Sequence, residues 1–190
     1  MKHVLYALLT AVSILFTSCG PSSNTNNPQV PNVPQPQPQP QPEVTQKVVI
    51  GYLALDDWEF ESLFPTIEWK YLTHINASFA RVKADGTLNI NPVRKRIESV
   101  RETAHKHNVK ILISLAKNSP GEFTTAINDP KARKELIQQI IAFTKEYKLD
   151  GFDIDYEEYD NWDKNFPSLL FFARGLYLAK EKNMLMTCAV

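Results

Sequence analysis

From residue 47 onward, short apolar runs alternate with longer stretches in which apolar residues recur every three or four positions. The first run, 47–54 (KVVIGYLA), is brief and β-branched, which predicts a strand. Residues 71–79 (YLTHINASF) and 109–115 (VKILISL) predict two more, and 184–190 (MLMTCAV) begins another. Between them, Val93, Ile97, Val100 and Ala104 keep helical spacing behind Asn91-Pro92, a cap followed by a proline suited to a first turn. Leu136, Ile140, Phe143 and Tyr147 form a second helical stripe behind Asp129-Pro130, and Phe166, Leu169, Leu170, Ala173 and Tyr177 mark a third. Asp85-Gly86 signals a turn. Strands alternating with helices imply a parallel sheet with crossover helices. Strands of such a sheet are covered on both faces and should read as apolar throughout. Residues 150–157 (DGFDIDYE) stand where a fourth strand belongs and break that rule.

In that segment Asp150, Asp153, Asp155 and Glu157 fall within eight residues, with Phe152, Ile154 and Tyr156 between them. Strand side chains alternate, so Asp153, Asp155 and Glu157 share one face, and the apolar three face the covering helices. Same-face neighbours lie about 6.6 Å apart along a strand. Two carboxylates at that distance repel by roughly 2.5 kcal/mol at an effective dielectric near 20. The set is therefore expected to keep or share a proton at neutral pH, and a carboxyl held neutral there can serve as a general acid. Carboxylates can also hold Ca²⁺ or Mg²⁺, but no EF-hand spacing is present and no histidine lies nearby to suggest zinc, so no metal or cofactor is expected. The further acids Glu158, Asp160 and Asp163 read as a solvated edge.

The chain carries 21 basic and 21 acidic side chains, and its first 46 residues contribute only Lys2 and Glu43. The balance argues against nucleic acid as a main partner, which would call for a basic surplus. Two cysteines exclude a disulfide scaffold. Lys2 and His3 precede an apolar run over 4–16, then Thr17-Ser18-Cys19-Gly20, the layout of a secretory signal. Cys19 sits where a bacterial lipobox places its cysteine, and the segment resembles a lipoprotein signal. That implies lipidation at Cys19 and a membrane partner through the anchor. The expected location is the bacterial cell envelope, on its periplasmic face or the cell surface, with simple secretion as the alternative. Residues 20–46 hold eight prolines, most in a Pro-Gln alternation. Such a stretch buries no core and reads as a polyproline-II stalk, reaching roughly 45 Å from Pro28 to Pro42 at about 3.1 Å per residue. The organisation is then a signal segment (1–19), a linker (20–46) and one domain (47–190).

Asp150-Gly151-Phe152-Asp153-Ile154-Asp155-Tyr156-Glu157 resembles the DGxDxDxE signature of family 18 glycoside hydrolases, the chitinases and endo-β-N-acetylglucosaminidases. Val49-Ile50-Gly51-Tyr52 resembles that family's first strand, residues 74–80 (HINASFA) its second and 110–114 (KILIS) its third. The resemblance implies a (β/α)8 TIM barrel with its site at the C-terminal ends of the strands. It implies Glu157 as proton donor and Asp155 as the residue that orients the substrate's 2-acetamido group. It gives Asp153 the role of the inner carboxylate paired with Asp155, and Asp150 and Gly151 structural places in the motif. In this family the substrate's own N-acetyl oxygen replaces an enzyme nucleophile, so the partner is expected to be a glycan or polysaccharide containing N-acetylglucosamine. After the third strand the family usually shows Ser-x-Gly-Gly, whereas this chain has Ser114-Leu115-Ala116-Lys117. Ser114 fits and stands with the candidate substrate-binding residues; the two missing glycines are expected to reshape that rim.

Tyr52, Phe79 and Trp58 are candidate sugar platforms near strand ends, although core packing is the commoner fate of an aromatic ring. His74, His105 and His107 show no convincing partners, Asp56 and Asp57 read as caps, and Cys188 reads as a small buried hydrophobe. A complete barrel needs about 250 residues, so 47–190 is expected to supply only about the first five strands and to have little activity alone. The leading expectation is a chitinase cutting β-1,4 bonds next to N-acetylglucosamine. The alternatives are an endo-β-N-acetylglucosaminidase acting on N-glycans and a non-catalytic glycan-binding lipoprotein. Tyr156 favours the first, and an intact Glu157 counts against the last.

Overall fold

The computed structural model describes residues 47–158 and 161–189. The signal segment with Cys19, the proline-rich linker and Asp160 lie outside them. The described elements are β1 (Ile50–Ala54), α1 (Phe60–Leu63), β2 (His74–Val82), β3 (Leu88–Asn89), α2 (Asn91–Arg94), α3 (Ile97–Lys106), β4 (Lys110–Lys117), α4 (Glu122–Asn128), α5 (Pro130–Glu146), β5 (Gly151–Ile154), α6 (Trp162–Ala179) and β6 (Leu185–Cys188). The sheet order is β1-β2-β4-β5-β6, every neighbouring pair on that path parallel, with β3 antiparallel to β2 beside it. This is the first part of a (β/α)8 barrel, laid down strand by strand in chain order.

The two faces of the sheet differ in chemistry. Ile75, Ala77, Ile111, Ile113, Leu115, Phe152 and Ile154 join Val100, Ala104, Leu136, Ile140 and Phe143 in one buried apolar cluster under the helices. Burying each such isoleucine or phenylalanine contributes about 1.5–3 kcal/mol before entropy is counted. The opposite face carries Tyr52 beside Asn76 and, one side-chain level further along the strands, Ser114, Asp153 and Thr187 side by side. The helices thus hold the sheet from outside, while the inner face carries these polar groups together with the buried Leu112 opposite Asn76.

Several boundaries differ from the sequence expectation. β2 starts at His74 and runs to Val82, because Tyr71 closes a 3-10 turn, Trp69–Tyr71. The Asp85-Gly86 turn is present, with Gly86 at φ 84°, and it returns the chain into the unanticipated two-residue β3. Asn91 is the first helical residue rather than the cap, and Asn89 Oδ1 accepts the Asn91 N–H at 3.2 Å instead. The helical stripe that follows is split into α2 and α3, with Val93, Ile97, Val100 and Ala104 all buried. Asp129 caps α5 as expected, accepting the Ala132 N–H at 2.7 Å. In α6 the buried positions are Asn165, Leu169, Phe172 and Leu176, while Leu170 and Tyr177 point outward. That helix is apolar on more than one side, so spacing alone could not choose the buried stripe.

Candidate active site

The acid-rich segment leaves the ladder at Ile154, earlier than the expected 157, but Asp155 N–H still bonds to Leu115 C=O at 3.0 Å. The backbone thus keeps one more bond to β4 after the last paired residue. At its base, Asp150 binds the bottom of the sheet. Its Oδ1 accepts Lys110 Nζ at 2.8 Å, and its Oδ2 accepts the Ile111 N–H at 2.9 Å and His105 Nε2 at 2.7 Å. Burial pushes this carboxyl upward, but the Lys110 ammonium, the Ile111 amide and His105 outweigh it and hold it below the usual carboxylate range. His105, expected to be unpartnered, is thus a structural ligand of Asp150. His107, also expected to be unpartnered, stacks on Trp69 with ring centroids 5.7 Å apart, and His74 Nδ1 lies 2.8 Å from Thr73 Oγ1. Gly151 is needed for a close approach: a Cβ there would lie 2.1 Å from Leu185 C=O on β6.

Three residues higher, Asp153 is 1% exposed and held by three hydroxyls. Tyr52 donates to Oδ2 at 2.8 Å, Ser114 donates to the same oxygen at 2.7 Å, and Thr187 donates to Oδ1 at 2.6 Å. Ser114 and Thr187 come from the strands on either side of β5, each directly opposite Asp153 in the register. Tyr52 comes from β1, three strands away. On a flat sheet side chains stand parallel, and three strand steps of about 4.8 Å would keep that phenol and carboxylate roughly 14 Å apart. The 2.8 Å bond exists because the sheet is curled into a barrel arc. Burial and the Asp153 bond raise the Tyr52 phenol above its ordinary value, opposed by the Asn76 side chain. Thr187 and Asn76 escaped the sequence reading; the threonine in an otherwise apolar MLMTCAV was the available clue.

Asp155, 9% exposed, follows on the same side. Burial raises it to about 6, and the charges of Glu157 and Asp153 push the same way, against Lys117 and Arg81. Glu157 is exposed beside a cavity of about 490 Å³ that Lys117, Thr124 and Asn165 also line. The arrangement is a caged inner carboxylate, a middle carboxyl that can hold a proton near neutrality and an outer acid facing open space. Among the described residues no group of three or more His, Cys, Asp or Glu could hold a metal ion.

The aromatic candidates separate. Tyr52, half exposed at 48%, offers ring surface and binds Asp153 through its hydroxyl. Phe79 neighbours Tyr52 at 6.4 Å between centroids, and the Arg81 guanidinium lies 4.9 Å from its ring centre. Trp58 is 85% exposed in the loop after β1, which Arg96 Nη1 pins through Leu55 C=O and Asp57 C=O. Asp57 Oδ1 accepts the Glu59 N–H just before α1. Cys188, expected to be buried, is exposed, because β6 pairs on one side only among the described residues. Glu158, expected to be solvated, is bonded to the start of α4; Asp163 is exposed as expected.

The sequence profile described as "Glycosyl hydrolases family 18" matches residues 48–190. A solved chitinase from Bacteroides thetaiotaomicron is 98% identical over 77% of this chain, with a TM-score of 0.76. This chain spans 47% of that protein's length. A family 18 chitinase from Cycas revoluta, solved in complex with (GlcNAc)3, shares the fold at a TM-score of 0.65 and 23% identity, over 74% of this chain and 45% of that one. A "chitinase-like effector" of Moniliophthora roreri is 28% identical over 95 residues, covering 48% of this chain and 23% of that protein. The order of strands, the caged aspartate and the profile match agree: the chain belongs to the family 18 glycosyl hydrolases.

Proposed function

We propose that the chain carries the acid-bearing portion of a chitinase that hydrolyses β-1,4 bonds next to N-acetylglucosamine with retention of configuration. Glu157 protonates the departing glycosidic oxygen. The acetamido carbonyl oxygen of the substrate attacks the anomeric carbon, so the protein need supply no nucleophile. Asp155 faces the acetamide, orients it and supports the positive charge that it acquires. Asp153, fixed by its three hydroxyls, stays in place while Asp155 changes partners. Water then opens the cyclic intermediate with Glu157 acting as base. No metal or cofactor enters this reading. The observation that carries it is the graded line of three carboxyls, from the caged Asp153 through the raised Asp155 to the open Glu157.

The test is Glu157→Gln in the full-length enzyme, assayed on chitin oligosaccharides and on a high-mannose glycoprotein. Turnover is expected to fall by roughly 10²–10⁴-fold, the usual contribution of a general acid, while oligosaccharide binding by calorimetry survives. Unchanged turnover removes Glu157 from the mechanism. Preferential cleavage of the glycoprotein replaces the chitinase reading with the glycan-trimming one. The cell-envelope reading is proposed alongside: lipid at Cys19 lifts the domain from a membrane on the 20–46 stalk. Incorporation of labelled fatty acid that disappears in Cys19→Ala supports the anchor; equal labelling of both overturns it.

A further inference from the structure

Three consecutive residues at the exit of β5 are held by the end of β4 and the start of α4. Tyr156 packs its ring edge-on against Phe123 at 5.4 Å between centroids, and its hydroxyl lies 2.6 Å from Thr124 Oγ1. Glu157 C=O accepts Lys117 Nζ at 2.7 Å. The Glu158 carboxylate accepts the Gly121 N–H, the Thr124 N–H at 2.7 Å and Thr124 Oγ1 at 2.6 Å. Since an ionised carboxylate only accepts, the hydroxyl order follows: Tyr156 donates to Thr124, and Thr124 donates to Glu158. In an extended segment Tyr156 and Glu158 face one side and Glu157 the other. Gripping the two flanking side chains and the carbonyl between them fixes the backbone from which the exposed Glu157 side chain departs.

We propose that Glu158 is a positioning residue for Glu157, its carboxylate clamped to the start of α4 through Thr124 and Gly121 so that the proton donor is held toward the glycosidic oxygen. Lys117 completes the clamp from the other side, on the carbonyl. The inference rests on the function proposed above and adds to it a residue that does not touch substrate. The residues that grip, Glu158, Thr124, Gly121 and Lys117, all lie outside the DGxDxDxE stretch. Misplacing a reacting group by about 1 Å can cost 10²-fold in rate, so a loosened clamp should show as lost turnover with binding retained.

The experiment compares wild type, Glu158→Gln, Thr124→Val and Glu157→Gln in the full-length enzyme on two substrates. One is a chitin oligosaccharide, whose leaving sugar needs a proton. The other is the 2,4-dinitrophenyl glycoside of the N-acetylglucosamine disaccharide, whose leaving phenolate does not. A positioning role predicts a roughly 10–100-fold lower kcat on the oligosaccharide for Glu158→Gln, with KM within about threefold, and near wild-type kcat/KM on the activated glycoside, a constant that ends with departure of the phenolate and so leaves out the later step in which Glu157 acts as base. Equal losses on both substrates, or no loss on the oligosaccharide, overturn the proposal. If Glu158→Gln does not fold, Thr124→Val, which removes a single hydroxyl, is read in the same way. Failure of wild type to cleave the oligosaccharide, or an unaffected Glu157→Gln, sinks the chitinase reading instead, so the two failures are told apart.

Discussion

At Asp155 burial and two acidic neighbours act in the same direction, and the sign of a pH effect follows. The folded carboxyl, at about 6, binds its proton more tightly than an exposed aspartate does. Between roughly pH 4 and 6 the folded state therefore holds the extra proton, and stability falls as pH rises through that window. Asp155→Asn should remove this slope and melt a few degrees above wild type at pH 7, with the difference vanishing near pH 4; a wild type that gains stability from pH 4 to 6 relative to the variant would contradict it. Asp150 has the opposite sign. Its lowered value stabilises the fold above the ordinary carboxylate range, and the contribution is lost as pH falls through the folded value. Asp150→Asn should cost roughly 1–3 kcal/mol at neutral pH in denaturant titration, because charged hydrogen bonds are being removed, and less below about pH 4. Thr187→Val takes the donor from Asp153 Oδ1 and should lower turnover several-fold without breaking the sheet. The alternation of acids named Asp153 and Asp155 from the sequence. Thr187 was not legible there, because its role exists only once β6 lies beside β5.

The elements divide according to how local their signals are. Asp129-Pro130 and the stripe behind it specified α5, since cap and periodicity lie within one segment. α4 was missed: EFTTAIN is short, carries two threonines and earns its helix by packing Phe123, Ala126 and Ile127 into the core. The α6 stripe was misplaced because Leu170, Tyr177 and Leu178 are as apolar as the residues that became buried. β5 left the ladder at Ile154, opposite Leu115 and Cys188, although β4 runs on to Lys117; where neighbouring strands stop pairing is not written in β5's own residues. A sharp element-scale prediction concerns Gly151. The 2.1 Å approach to the Leu185 carbonyl leaves no room for a methyl group, so Gly151→Ala should separate β5 from β6 and cost more than about 3 kcal/mol. Circular dichroism melts would read the loss, and a neutral variant would show that β6 can shift freely.

For the whole molecule, the parallel order and the apolar outer face were legible in the pattern, while the curl that closes the site came through the family resemblance and not from periodicity. The described sheet has open sides at β1 and β6, and α6 turns Leu170, Phe171, Tyr177 and Leu178 to solvent. Unpaired strand edges and contiguous apolar surface promote association. The 190-residue chain produced alone should therefore sediment as oligomers and turn over chitin oligosaccharides poorly; a monodisperse, active chain would refute this. The bond from Tyr52 to Asp153 has a temporal consequence. Its partners are 101 residues apart, so a growing polypeptide presents the phenol long before the ribosome delivers the carboxylate, and β2 and β4 must already have bent into place. Assembly of the reactive centre thus waits on completed curvature, and a nascent chain released early would display sheet without function.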